Sequence, residues 1–162
     1  MFHLAFMMPV GFAHSDLKHI NLTYSIEPVT VLTVVSSRGT EDVDLGRMIS
    51  GTEQPSESLE VKIITNSNNP YQVYHELRNP ILSGDGTALP ESNLQFRATN
   101  GSNGGASQIS SFAPVPEGRT LIFRSDPSGG EDSFSVQYTI GNDQLLAAGH
   151  YFGSVHLHVE QG

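Results

Sequence analysis

The sequence predicts an all-β protein of the sandwich type with Greek-key connections. Apolar residues recur at every second position in several short segments, which is the period of a half-buried strand. Polar turns separate these segments, and Gly (16) and Pro (9) are frequent. No window shows the stripe of about 3.6 residues that marks an amphipathic helix. We therefore expect about eight or nine short strands around one core.

The first predicted strand carries Ile20, Leu22, Tyr24 and Ile26 on one face, with polar residues between them. Pro28 ends it, because proline has no N–H to donate to a ladder. A β-branched run and two alternating runs follow before the middle of the chain. They predict strands at 29–35, at 59–63 and at 71–76, the last with Tyr71, Val73 and His75 on one face and Gln72, Tyr74 and Glu76 on the other.

The second half of the chain has three further patterned segments and one long stretch without a pattern. Residues 79–113 are rich in Gly, Ser and Asn, and we expect 100–105 to be an exposed, mobile loop tip. Short strands are predicted at Leu94 and Phe96 and at Leu121 and Phe123, and a longer one at 134–140. The last strand is predicted to place Tyr151, Gly153, Val155, Leu157 and Val159 on one face and Phe152, Ser154, His156, His158 and Glu160 on the other.

Composition excludes several classes of function. The net charge is -9, with 17 acidic against 8 basic side chains, so phosphate backbones and anionic lipid would repel the chain. We expect no nucleic-acid partner and no membrane insertion, since no segment reaches about 18 apolar residues. There is no cysteine, which excludes disulfides and thiolate metal sites. Nucleophile elbows, phosphate-binding glycine loops and zinc-protease motifs are also absent, so we predict no enzyme, no catalytic residue and no cofactor.

The beginning of the chain predicts export. Residues 2–12 are largely apolar, and the segment 11–13 offers small residues, Gly11 and Ala13, at the places that signal peptidase prefers, with cleavage expected after Ala13. We interpret 1–13 as a signal-peptide remnant and 14–162 as a single sandwich domain, located in the periplasm, on the cell surface or outside the cell. The alternative is an apolar N-terminal strand.

Two segments raise metal hypotheses, although we assign no metal site. His156 and His158 share a strand face and could offer imidazoles to Zn or Cu, with Glu160 as a third ligand. The alternative is a polar, outward-facing side of a strand. The acidic, Gly-rich segment 125–132 (Asp126 and Asp132 included) could hold Ca²⁺, and its alternative is a solvated turn.

The C-terminal segment 146–159 resembles the last strand of bacterial pilin-type and spore-coat-U-like domains, which end in a small-Ala-Gly-x-Tyr-x-Gly-x-Val-x-Leu-x-Val pattern. The Asp44-Leu45-Gly46 motif and the segment 61–71 resemble the same group, although the cysteine pair of pilins is missing. The resemblance implies an immunoglobulin-like sandwich in a surface structure. In chaperone–usher pilins the chain stops one strand short, and a neighbour's N-terminal strand fills the gap by β-strand addition.

These observations predict an exported structural or adhesive cell-surface subunit, a pilin-like fibre component that assembles by strand donation. Its partners would be other protein subunits, copies of itself included. The expected donor strand carries Ile20, Leu22, Tyr24 and Ile26. Alternatively, this strand is the first strand of a self-contained fold. The alternative function is a monomeric carbohydrate-binding module outside the cytoplasm. Such modules usually present exposed aromatic side chains, and this chain has no Trp, with Tyr74 and Phe152 expected to point away from the core.

Overall fold

The structure, a computed structural model, describes residues 23–47, 56–141 and 146–162. Every regular element within those ranges is a β-strand, which confirms the all-β class. The signal-peptide prediction at 1–13 and two donor residues, Ile20 and Leu22, lie outside the described residues. The strands are β1 (Thr30–Ser36), β2 (Ser56–Thr65), β3 (Tyr71–Leu77), β4 (Leu82–Ser83), β5 (Leu94–Ala98), β6 (Ala106–Ser107), β7 (Ala113–Pro114), β8 (Gly118–Arg124), β9 (Asp132–Ile140), β10 (Tyr151–Phe152) and β11 (Val155–Gln161).

The strands form three antiparallel sheets. The larger two have the orders β1-β2-β9-β5-β7 and β11-β3-β8-β6, and β10 pairs with β4 in a small third sheet. One cluster of buried side chains draws on both larger sheets, as in a sandwich. It includes Val61, Ile63, Phe96, Phe134 and Val136 from the first sheet and Tyr71, Val73, Ile122 and Phe123 from the second.

The period-2 patterns fold as the sequence predicts. In β2, Leu59, Val61 and Ile63 are buried while Glu60 and Lys62 are exposed. Val61 faces Val34 of β1 on one side and Phe134 of β9 on the other. A register slip of one residue would turn this apolar row to water, so burial fixes the pairing.

Eleven strands are present among the described residues, more than the eight or nine predicted, and the last predicted strand is divided. Strands β4, β6, β7 and β10 have two residues each, too few to show an alternation in the sequence. The division falls at Gly153 and Ser154. A Cβ at Gly153 would lie 2.6 Å from Cγ1 of Ile81, so only glycine lets the chain pass this close to Ile81 as it changes sheets.

The prediction of a half-buried strand at 20–26 is wrong for the part of it that the structure describes. Residues 23–29 belong to no strand, and Tyr24 and Ile26 are 83% and 75% exposed. The reason lies in the register of β1, in which Thr30 pairs with Thr65, the last residue of β2. Upstream of Thr30 the chain runs past the end of β2 and has no strand beside it.

The Asn/Gly-rich loop between β5 and β6 is exposed at its tip, as predicted, but it is attached to the body of the fold. Asp132 Oδ1 accepts hydrogen bonds from the Asn103 N–H (2.9 Å) and the Ser102 hydroxyl (3.1 Å). Its Oδ2 accepts one from the buried Gly105 N–H (3.0 Å). Asp132 is only 5% exposed, and a Cβ at Gly105 would overlap the Phe123 ring. One buried carboxylate therefore shapes a loop that lies about thirty residues earlier in the chain.

Candidate functional site

Strands β1 and β11 are the outer strands of the two larger sheets and lie on the same side of the fold. Each pairs along one edge only, β1 with β2 and β11 with β3, in the part of the chain that the structure describes. Their ends meet where the Gln161 side-chain amide donates a hydrogen bond of 2.6 Å to the Thr30 hydroxyl. We call this pair of unpaired edges the open side of the sandwich. It offers unused backbone N–H and C=O groups from both sheets.

The core is thinly covered along the open side. Leu32 and Val34 of β1 point inwards but are only partly buried. The inward row of β11, Val155, Leu157 and Val159, is also only partly buried. The corresponding side chains one strand further in, among them Val61 of β2 and Val73 of β3, are fully buried. An additional strand beside β1 or β11 would therefore cover apolar surface as well as complete a ladder.

The segment 23–29 leaves the fold at one end of this open side. The Val29 N–H donates to Asn66 Oδ1 (2.7 Å), and the Asn66 amide donates to the Glu27 carbonyl (3.1 Å). These bonds fix the point of departure beside the turn after β2. Beyond that point Tyr24 and Ile26 have no apolar cover, and they are the only two expected donor residues within the described part of the chain.

The histidine pair lies on the outer face of the four-stranded sheet, as the sequence predicts. The rings of His156 and His158 stack with their centroids 6.2 Å apart. His158 Nε2 lies 2.8 Å from Glu76 Oε2, and the predicted third ligand, Glu160, instead pairs with Arg119 at 2.5 Å. The described residues contain no group of three His, Asp or Glu side chains arranged for a metal ion.

The carboxylates of this outer face are held ionised by their cationic partners. Hydrogen bonds from Arg78, and secondarily from His158, lower the pKa of Glu76. Arg119 lowers the pKa of Glu160 in the same way. Both carboxylates are at the surface, where such pairs contribute little to stability. The arrangement is that of a solvated strand face.

The acidic segment 125–132 does not gather its carboxylates around one point. Asp126 accepts hydrogen bonds from the Ser128 N–H (2.9 Å) and hydroxyl (2.6 Å), which closes a local turn and lowers the pKa of Asp126. Asp132 is buried and accepts hydrogen bonds from the loop between β5 and β6. The turn at Asp126 fits the solvated-turn interpretation, whereas Asp132 does not.

The aromatic side chains expected to point away from the core do so, but they form no shared platform. Phe152 is 66% exposed in the small β10–β4 sheet. Tyr74 lies on the outer face of β3 under the Arg119 guanidinium, 3.7 Å from the ring centroid. One face of the Tyr74 ring is therefore already stacked.

The interior holds a polar group whose isolation the sequence did not reveal. His75 lies on the inner face of β3, as predicted, and is 0% exposed. Neither ring nitrogen has a hydrogen-bond partner, and the ring packs against Phe96 and Tyr138 with centroid distances of 4.7 and 5.9 Å. Burial lowers the pKa of His75 to about 4. The alternating pattern placed His75 on the core face but could not show that it has no partner there.

No family model matches the sequence, and no curated protein matches it. Among the described residues no helix is long and apolar enough to cross a membrane.

Proposed function

We propose that this chain is an exported structural or adhesive subunit of a cell surface that assembles by β-strand donation, with a second copy of the chain as its partner. The donor is the segment that carries Ile20, Leu22, Tyr24 and Ile26, and the acceptor is the open side of the sandwich. One observation carries the proposal. Two features occur in the same molecule: an exposed apolar segment without a strand partner, and two strand edges whose inward apolar side chains are only partly buried.

The strand order supports an immunoglobulin-like Greek-key arrangement in which, among the described residues, the strand position beside β11 is unfilled. Strands β1, β2, β9 and β5 correspond in order to the A-B-E-D sheet of that fold, and β3 and β11 to its C and F strands. The seventh strand, G, would lie beside β11, where the described residues place no strand. Strand β8 departs from the simple pattern by extending the second sheet on the far side of β3.

The geometry favours donation to another copy over closure on the same copy. The donor segment continues β1 backwards beyond Thr30, and the Asn66 hydrogen bonds hold its base at the end of the sandwich. To lie beside its own β1 or β11, the chain would have to reverse direction at that base. A donor that runs off the end of its own domain can reach the open side of a neighbour without such a turn.

Light scattering on the full chain tests the proposal. We expect dimers or longer assemblies from the unaltered protein, and a monomer from the Tyr24→Asp/Ile26→Asp variant. Placing two carboxylates against apolar side chains should weaken assembly by at least roughly 100-fold. The matched control is Thr23→Asp/Ser25→Asp, which adds the same charge to the opposite face of the segment and should still assemble.

A peptide of residues 18–28 tests the acceptor separately. Added to the monomeric Tyr24→Asp/Ile26→Asp variant, it should bind and raise the melting temperature, since a ligand of the folded state stabilises it. The same peptide with Asp at positions 24 and 26 should not. An unaltered chain that stays monomeric and a peptide that does not bind would together refute the proposal.

A further inference from the structure

His75 lies on the inner face of β3, the strand next to β11, which forms one edge of the open side. It pairs in register with Leu157 of β11 on one side and Thr120 of β8 on the other. Strand β8 is covered by β6 only at Phe123 and Arg124, and β11 has no outer neighbour along its length among the described strands. Separation of β11 from β3 would therefore open a route for water to the imidazole.

The surroundings of His75 tolerate only the neutral ring. Phe96 of β5 and Leu157 of β11 are apolar, and Thr120 of β8 carries no charge. Among the described residues, the titratable side chain whose ring packs against the imidazole is the phenol of Tyr138 on β9. Burial raises the pKa of Tyr138, so that phenol stays neutral as well. An imidazolium formed here would have neither a counter-ion nor a hydrogen-bond acceptor. Buried polar groups without any partner are rare, which makes this one informative.

We propose that His75 is an acid-sensitive switch, which we call the latch. Its neutral form allows β11 to stay paired with β3, and its protonation favours a state in which β11 has separated from β3 and water reaches the ring. The expected direction follows from burial. The pKa of His75 is lowered from 6.5 to about 4, so the closed state is fully favoured above about pH 6.5 and loses its advantage as the pH falls towards 4. At pH 5 the equilibrium constant for opening should be about 20-fold larger than at pH 7.

If β11 forms part of the strand acceptor, the latch regulates assembly, and this consequence depends on the proposed function. Mild acid would loosen the edge against which a donated strand packs. Exchange of one donor for another should then be faster at pH 5 than at pH 7. The opening of β11 itself is a property of the single domain and does not depend on assembly.

Hydrogen exchange on the full chain, at a concentration where light scattering shows monomers, tests the latch. After correction for the intrinsic effect of pH, opening at the His158 and Glu160 amides, which face β3, should rise about 20-fold between pH 7 and pH 5. The rise should disappear in His75→Leu and remain in His150→Gln, which removes an exposed histidine. If the rise persists in His75→Leu, His75 is not its cause and the proposal is overturned. An equal rise at the Val61 amide of β2 would also overturn it, because that indicates global unfolding.

A measurement on the unaltered chain keeps the proposal testable if His75→Leu does not fold. The imidazole resonances of His75 should titrate well below pH 6.5, together with the rise in β11 exchange. Titration near pH 6.5 would overturn the latch.

Release of the labelled 18–28 peptide at pH 5 and pH 7 separates the two proposals. Faster release at pH 5 supports both. If the peptide binds and its release does not depend on pH, strand donation is supported, but the latch does not regulate it. Acid-dependent β11 exchange without any peptide binding supports the latch and counts against strand donation.

Discussion

Replacing Asp132 with alanine is expected to lower the free energy of unfolding by about 3 kcal/mol, because charge-assisted hydrogen bonds are lost and a buried donor is left without an acceptor. The buried Gly105 N–H loses its acceptor, and the Asn103 N–H and Ser102 hydroxyl lose theirs. Urea denaturation followed by far-UV circular dichroism measures the change, since the chain has no Trp.

The matched control for this prediction is Glu131→Ala. It removes the same charge from the neighbouring residue, which is exposed, and should cost under about 0.5 kcal/mol. Equal losses from the two variants would mean that net charge, and not the anchoring of the loop, accounts for the effect.

Replacing Gly129 with alanine is expected to cost about 4 kcal/mol, the sum of backbone strain and a backbone clash. Gly129 has a φ of 69°, a conformation that L-residues with a side chain rarely adopt. A Cβ there would overlap the Asn69 carbonyl oxygen, which cannot move without disturbing the turn before β3. Thermal unfolding and urea denaturation should both show the loss.

Gly39→Ala separates the two contributions. Gly39 has a similar φ of 77°, but apart from its chain neighbours no heavy atom of the described residues lies within 4 Å of the position that a Cβ would take. It should therefore show the conformational cost alone, about 1 kcal/mol. If Gly129→Ala is as stable as Gly39→Ala, the Asn69 carbonyl moves aside at little cost in free energy.

The sequence predicts the parts of the fold that are encoded by local alternation. Strands β2, β3 and β9 each carry a period of two over seven residues or more, because one face is buried and the other is in water. The two-residue strands β4 and β10 are defined by where the chain passes and not by their own pattern. The break at Gly153 depends on the proximity of Ile81, seventy-two residues away in the chain. Such contacts have no local signature.

The candidate site was partly predictable for the same reason. The alternation at 20–26 suggested an amphipathic strand, but only the register of β1 on β2 shows that Tyr24 and Ile26 have no strand beside them. Likewise, His75 could be assigned to the inner face from its spacing with Val73. The absence of any acceptor near its ring arises from residues on β5, β9 and β11, which meet only in the folded chain.

The composition of β1 has a consequence for the solubility of the folded protein. Thr30–Ser36 is rich in β-branched residues and contains neither a charged residue nor a proline, the usual means by which edge strands resist adding further strands. Such segments also favour stacking into amyloid-like fibrils. We therefore expect this edge to limit the solubility of the monomer, so that the protein should aggregate at high concentration when nothing covers β1.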